Sequence, residues 1–297
     1  MAQGSRDVRH PWKFTATAST RIIEVGRLSP VADWAPVEPG GSHNDRHPVS
    51  SEASRLAQAN AAPVQTYARI AGILGLISLV AGGFGEAFVP SVLIVSGDAA
   101  ATANNIVASN ALFRVGFASY LIEGLCDVTL TLVFYALLRP VHGDLALLAA
   151  FFRLVGTAGF AVAELFYFAA SPIVGGAEYL KTFSADQLNT LALLSLKISG
   201  YGSGIFMMFY GAGSVLLGYL IFRSGYLPRV LGVLLAISGV GFVTRTFVGI
   251  LAPAYASPIL LMPAALAALA LTVWLLVRGV DVPKWQERAG VARHRSL

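Results

Sequence analysis

Six apolar runs of at least 20 residues each constrain the fold of this chain most strongly. At about 1.5 Å of rise per residue, each run can cross the roughly 30 Å hydrocarbon core of a bilayer as an α-helix. The runs lack the strict alternation of polar and apolar residues that is typical of strands. We therefore predict an all-α, polytopic membrane protein, a six-transmembrane-helix bundle with spans at residues 67–90, 111–138, 145–171, 191–222, 230–251 and 258–277.

Charged residues concentrate in the tails. Only 12% of the 297 residues are charged, against about a quarter in soluble domains. Residues 1–62 hold seven Lys/Arg, six Asp/Glu and five Pro, a composition that does not bury enough apolar surface to order itself. We predict a disordered polar tail over residues 1–62, a membrane domain over residues 63–280 and a short basic tail over residues 281–297.

Basic residues flank the runs on one side. Cations near spanning helices are retained in the cytoplasm during insertion, so the distribution of Lys and Arg predicts orientation. The other side of the predicted bundle holds only Lys181. Both termini are therefore predicted to be cytoplasmic. The flanking cations are Arg55, Arg69, Arg139, Arg223, Arg229, Arg278, Lys284, Arg288, Arg293 and Arg295.

Five motifs carry a resemblance to a known family. They read RIAG at residues 69–72, GDAAATANNI at 97–106, LFR at 112–114, LAAFFRLV at 148–155 and SGYLPRVLG at 224–232. The region from residue 67 to residue 280 resembles the bacterial membrane proteins of domain-of-unknown-function family 4386. This resemblance implies a multi-pass protein of the bacterial inner (plasma) membrane, and it implies no activity.

Eight charged side chains fall inside the predicted spans. Each costs about 2.5–3.5 kcal/mol at the centre of a bilayer, so each needs a partner, a hydrated surface or a short path to the interface. Four are acids and four are bases, and they form two layers. The outer layer holds Glu86, Arg114, Glu164, Lys197 and Arg245, and the deeper layer holds Glu123, Asp127 and Arg153.

The deeper layer predicts a specific contact. Glu123 and Asp127 are four residues apart and share one helix face. Asp127 and Arg153 lie about 16 Å and about 12 Å from the predicted inner ends of neighbouring helices, so Arg153 is the expected cation for this face. Two interpretations remain open for all eight charges: interhelical ion pairs that fix the packing, or the lining of a hydrated polar pocket.

The fourth run contains a glycine seam. Gly200, Gly204, Gly211 and Gly218 fall within about 40° of one another on a helical projection. Such a seam is typical of close helix packing, and it also suits a groove for a ligand or lipid chain. This run is longer than a bilayer needs, so we expect it to tilt, to protrude or to break near Gly200.

The sequence contains no catalytic or metal-binding signature. All five His lie in tails or a connection, and the single Cys126 has no His at its depth. We therefore expect no catalytic residues, no metal and no cofactor, and the scattered basic residues argue against a nucleic-acid partner. Oligomeric state is not predicted.

Three hypotheses about function remain. The first is a non-enzymatic protein that binds a lipid or small amphiphile in an outward-facing polar pocket of Glu164, Lys197 and Arg245. The second is a small-solute or proton-coupled transporter that uses Glu123, Asp127 and Arg153. The third is a membrane enzyme. In each case the lipid bilayer is a partner.

Overall fold

The computed structural model of the chain describes residues 49–255 and 257–295. Every regular element within these residues is helical, and six helices are long and apolar enough to cross a membrane. The predicted fold class is confirmed, and each observed span overlaps its predicted counterpart. The spans are Val64–Leu93, Asn110–Leu138, Gly143–Val174, Ala185–Ser224, Arg229–Leu251 and Ile259–Val277.

Nine α-helices are found in the described part of the chain, and a π-helical segment, Gly83–Phe88, joins the first two. They are α1 Val49–Gly82, α2 Val89–Leu93, α3 Ala99–Ala108, α4 Asn110–Leu138, α5 Gly143–Val174, α6 Ala185–Ser224, α7 Arg229–Leu251, α8 Met262–Val277 and α9 Val282–Arg295.

Two helices begin at side-chain caps. The Asp98 carboxylate accepts a hydrogen bond of 2.8 Å from the Ala101 backbone N–H at the start of α3. Ser184 and Gln187 form a reciprocal capping box at the start of α6. Helix α6 then continues for 40 residues without a break at Gly200, so at about 60 Å it exceeds the thickness of a bilayer.

The six spans form a ring in chain order. Helix α1 packs against α4, α4 against α5, α5 against α6, α6 against α7 and α7 against α8, and α8 returns to α1. One end of this ring holds the α4–α5 and α6–α7 connections, with Arg139, Arg223 and Arg229. This end is called the arginine-flanked side. The end that holds α3 is the opposite side.

Two apolar clusters divide the interior along the spans. One includes Leu137, Leu220 and Leu275 in the arginine-flanked half. The other includes Leu93 and Phe113 in the opposite half. Large apolar side chains also cover the outside of the ring, which is the surface that lipid tails would contact. Examples are Leu125, Leu132, Leu165 and Leu251.

The structure describes part of each predicted tail. Residues 1–48 of the predicted disordered tail lie outside the described residues, whereas residues 49–62 are the first turns of α1. The predicted basic C-terminal tail contains α9. The π-helical segment was not predicted, because a change of hydrogen-bond register within one apolar run leaves no mark on its hydropathy.

Candidate functional site

A buried arginine stands at the centre of the site. Arg153 lies on α5 with 4% of its surface exposed. Its Nη2 donates a hydrogen bond of 2.7 Å to the hydroxyl of Tyr210 on α6, and its Nε donates one of 3.3 Å to the hydroxyl of Thr131 on α4. The same Nη2 lies 3.4 Å from Oδ1 of Asp127, also on α4. One guanidinium therefore joins three spans.

Glycines make room for this arginine. A Cβ on Gly213 of α6 would lie 2.8 Å from Cγ of Arg153, and a Cβ on Gly156 of α5 would lie 2.9 Å from the backbone nitrogen of Tyr210. Because both side chains are absent, α5 and α6 approach closely. The guanidinium then lies 4.1 Å from the centroid of the Tyr210 ring, which adds a cation–π contact to the hydrogen bond.

Asp127 supplies the countercharge. Its side chain is 13% exposed, and its Oδ1 also accepts a hydrogen bond of 3.4 Å from the Tyr210 hydroxyl. The structure thus brings together Asp127 and Arg153, the two residues whose predicted depths are compatible. Tyr210 bridges both, so the ion pair has a third, neutral member.

Glu123 lies one turn of α4 from Asp127 and has no cation of its own among the described residues. Its Oε2 is buried and makes no hydrogen bond within that part of the chain. Its carboxylate lies against α1, where a Cβ on Gly82 would be 2.7 Å from Oε1. When both carboxyls are ionised, Glu123 and Asp127 together with Arg153 leave a surplus of one negative charge, which a proton on Glu123 would remove.

A second polar group lies nearer the opposite side. Glu164 on α5 is buried, and its Oε1 accepts a hydrogen bond of 3.2 Å from the Ser203 hydroxyl on α6. Oε2 of Glu164 and the hydroxyl of Tyr167 are buried without a hydrogen-bond partner in the described ranges. Across from them, the Tyr120 hydroxyl donates a hydrogen bond of 2.9 Å to the carbonyl oxygen of Gly85 in the π-helical segment.

The remaining predicted charges are less enclosed. Glu86, on the π-helical segment, is exposed and makes no ion pair within the described residues. Arg114 and Lys197 are exposed and make no ion pair within residues 49–255 and 257–295. The structure joins neither Lys197 nor Arg245 to Glu164 by an ion pair, so the three residues of the predicted outward pocket are not assembled by direct contact.

The glycine seam of α6 faces α7 along part of its length. A Cβ on Gly211 would lie 2.7 Å from the carbonyl oxygen of Gly239, and one on Gly218 would lie 2.5 Å from the carbonyl oxygen of Gly232. At Gly204, as at Gly200, a Cβ would meet nothing within 4 Å. Gly211 and Gly218 thus lie in a close helix crossing, and Gly200 lies outside it.

Sequence reasoning missed the neutral members of the site. Tyr210 is an aromatic hydroxyl in the middle of a span, away from the interfaces where Tyr is common, and this position was a usable signal. Thr131 follows Asp127 by one turn and faces the same way. Thr157 lines the small cavity beside Asp127 and follows Arg153 by one turn. Hydroxyl residues of this kind are frequent in apolar helices, so their number alone indicates nothing.

No group of three or more His, Cys, Asp or Glu side chains within the described residues could hold a metal ion. The chemistry available at the site is that of two carboxylates, a guanidinium and several hydroxyls. Such groups bind, release and compensate charge, and none is arranged as a nucleophile beside a base.

Six apolar spans around a buried ion-paired centre define a multi-pass helical membrane protein. The chain belongs to the family described as Domain of unknown function (DUF4386), which matches residues 70–279. It is 31% identical over 117 residues to an uncharacterized protein of Archaeoglobus fulgidus; the match covers 39% of this chain and 56% of that relative. No solved structure matches the chain.

Proposed function

We propose that this protein is a secondary carrier for a small solute, driven by a cation that binds beside Glu123 and Asp127. The observation that carries the proposal is the Arg153–Asp127–Tyr210 centre, which spans three helices of the ring. This centre lies between the two apolar clusters, near the middle of the spans. A carrier needs its binding site at such a depth, because the site must be reached alternately from both sides of the membrane.

The unequal charge supports this proposal over a purely structural role. A centre that only fixes helix packing is stable when its charges are balanced, because an unpaired ion in hydrocarbon is costly. When ionised, Glu123 adds a second carboxylate, without a partner cation, one turn of α4 from the paired one. Binding of a cation or proton would remove this surplus, and the change of charge could then alter how α4, α5 and α6 pack.

The outward-facing lipid pocket has less support. Its three predicted residues make no ion pair with one another in the described part of the chain, and Lys197 points to the exposed surface of α6. Glu164 is already held by Ser203. Binding of a lipid headgroup would require the charges of Glu164, Lys197 and Arg245 to lie close together.

Uptake into proteoliposomes tests the carrier. The purified protein would be reconstituted and offered a panel of radiolabelled amino acids, small amines and short carboxylic acids under inward gradients of Na⁺ or of protons. We expect at least one solute to accumulate and expect Asp127→Asn, reconstituted from the folded fraction of the purified variant, to abolish its uptake. Glu178→Gln, an exposed carboxylate on the opposite side, is the matched control. Binding of a solute without accumulation, or no response to the whole panel, would contradict the proposal.

We also propose that the protein lies in the inner membrane with both termini in the cytoplasm. The reason is the excess of Lys and Arg that the sequence shows on one side of the spans. Reporter fusions at Ala177, between α5 and α6, and at the C-terminus test it. The two reporters should be active in opposite compartments. Activity of both in one compartment would contradict the six-span topology itself.

A further inference from the structure

A small cavity lies between α4, α5 and α6 beside the ion pair. Its volume is about 10 Å³, which is close to what a single water molecule requires. Oxygen-bearing side chains from all three helices line it together with the apolar Phe160 and Met207. The oxygen-bearing residues are Glu123 and Asp127 from α4, Thr157 from α5 and Tyr210 from α6. A ligand at this point would be no larger than one water molecule or a small ion.

Thr157 gives a second and independent reason to expect a ligand. A threonine inside an apolar helix usually donates its hydroxyl to the carbonyl one turn back, as Thr131 does to Asp127 and Thr129 does to Leu125. Thr157 is 8% exposed, yet its hydroxyl has no hydrogen-bond partner in the part of the chain that the structure describes. Its oxygen is therefore free for a ligand in the cavity that it lines.

The charge of the lining indicates what that ligand is. Arg153 compensates Asp127, and Glu123, when ionised, adds one negative charge and an unpartnered oxygen. One monovalent cation restores neutrality, whereas a divalent ion would leave an excess of positive charge. Carboxylate and hydroxyl oxygens are hard ligands, and their strong local field in a cavity of this size favours a small ion.

We propose that this cavity is a Na⁺ site, with Glu123, Asp127 and Thr157 as its ligands. The proposal rests on the carrier function and names its coupling ion. Thr157 becomes a binding residue that neither its type nor its position in an apolar run would indicate.

Thermal unfolding of the purified protein in detergent tests the site. Na⁺, K⁺ and choline would be compared as chloride salts at equal ionic strength. We expect the unfolding midpoint to rise with Na⁺ and to saturate, by about 5 °C at a concentration of about 100 times Kd. K⁺ and choline should have little effect.

Substitutions of threonine separate a ligand from a packing residue. Thr157→Val removes the oxygen at nearly constant volume and should abolish the response to Na⁺, while Thr157→Ser keeps the oxygen and should preserve it. Thr129→Val, an exposed position on α4, is the control and should respond like the wild type. If Thr157→Val does not fold, binding of radioactive sodium to the wild type and to Thr157→Ser decides instead. Absence of that binding would overturn the site.

The outcomes distinguish the site from the carrier. Stabilisation that follows protonation and is indifferent to Na⁺ would overturn the Na⁺ site and leave a proton-driven carrier standing. Saturable Na⁺ binding without Na⁺-driven uptake of any solute would support the site and contradict the carrier. A Thr157→Val variant that keeps the full Na⁺ response would remove Thr157 from the ligand set.

Discussion

Gly213 on α6 faces Arg153 on α5 so closely that a Cβ at position 213 would lie 2.8 Å from the arginine's Cγ and 3.0 Å from the carbonyl oxygen of Ala149. The arginine thus reaches Asp127 and Tyr210 through a space that only glycine leaves. The chemistry of the site depends on a residue that has no side chain.

Replacement of this glycine tests that dependence. Gly213→Ala should destabilise the protein by about 1–3 kcal/mol, because the backbone of α5 or the arginine stem must shift. Gly200→Ala on the same helix meets nothing within 4 Å, so its unfolding midpoint should be unchanged or slightly raised. Thermal unfolding in detergent measures both. Equal midpoints for the two variants would contradict the close approach.

The Tyr210 hydroxyl should contribute to stability through its hydrogen bond to Arg153. Tyr210→Phe keeps the ring under the guanidinium and removes only the partner at 2.7 Å. We expect the free energy of unfolding to fall by about 1–2 kcal/mol. A charged donor strengthens the hydrogen bond, whereas side-chain hydrogen bonds in membrane proteins contribute less than those in water-soluble cores.

Tyr201→Phe is the matched control for this change, because Tyr201 lies on the same helix with 71% of its surface exposed. Its midpoint of unfolding should equal that of the wild type. A similar loss in both variants would mean that the effect comes from the helix and not from the arginine.

The sequence predicted those parts of the molecule that follow from hydropathy and helical depth. The six spans follow from run length, and the proximity of Asp127 and Arg153 follows from compatible depths on neighbouring helices. Tyr210, Thr157 and the π-helical segment do not follow, because they depend on how α6 is rotated about its axis and on one change of backbone register. Hydropathy is nearly the same for every such rotation when a helix is apolar all round.

The crossing of α6 and α7 should tolerate no side chain at its centre. A Cβ on Gly239 would collide with the carbonyl oxygen of Gly211 and would lie 2.8 Å from the backbone of Val215. We expect Gly239→Ala to lower stability by about 1–3 kcal/mol, because the helices must separate.

Gly249→Ala lies on the same helix α7 and meets nothing within 4 Å. Its free energy of unfolding should rise by up to about 1 kcal/mol, because alanine has a higher helix propensity than glycine. Thermal unfolding of the two variants side by side gives the comparison, and a destabilised Gly249→Ala would show that the crossing is not the cause.

The ion pair itself should show strong coupling. Asp127→Asn leaves Arg153 as a buried charge without its carboxylate, and this should cost about 3–5 kcal/mol. Arg153→Met in the same background removes the stranded charge, so the double variant should be more stable than Asp127→Asn alone. A double-mutant cycle from denaturant unfolding in detergent gives the coupling energy.

The exposed pair Glu178 and Lys181, at 2.9 Å, provides the control cycle, and its coupling energy should not exceed about 1 kcal/mol. Equal coupling in the two cycles would mean that the Arg153 centre is solvated like a surface, and the reason to expect a cation beside Glu123 would disappear with it.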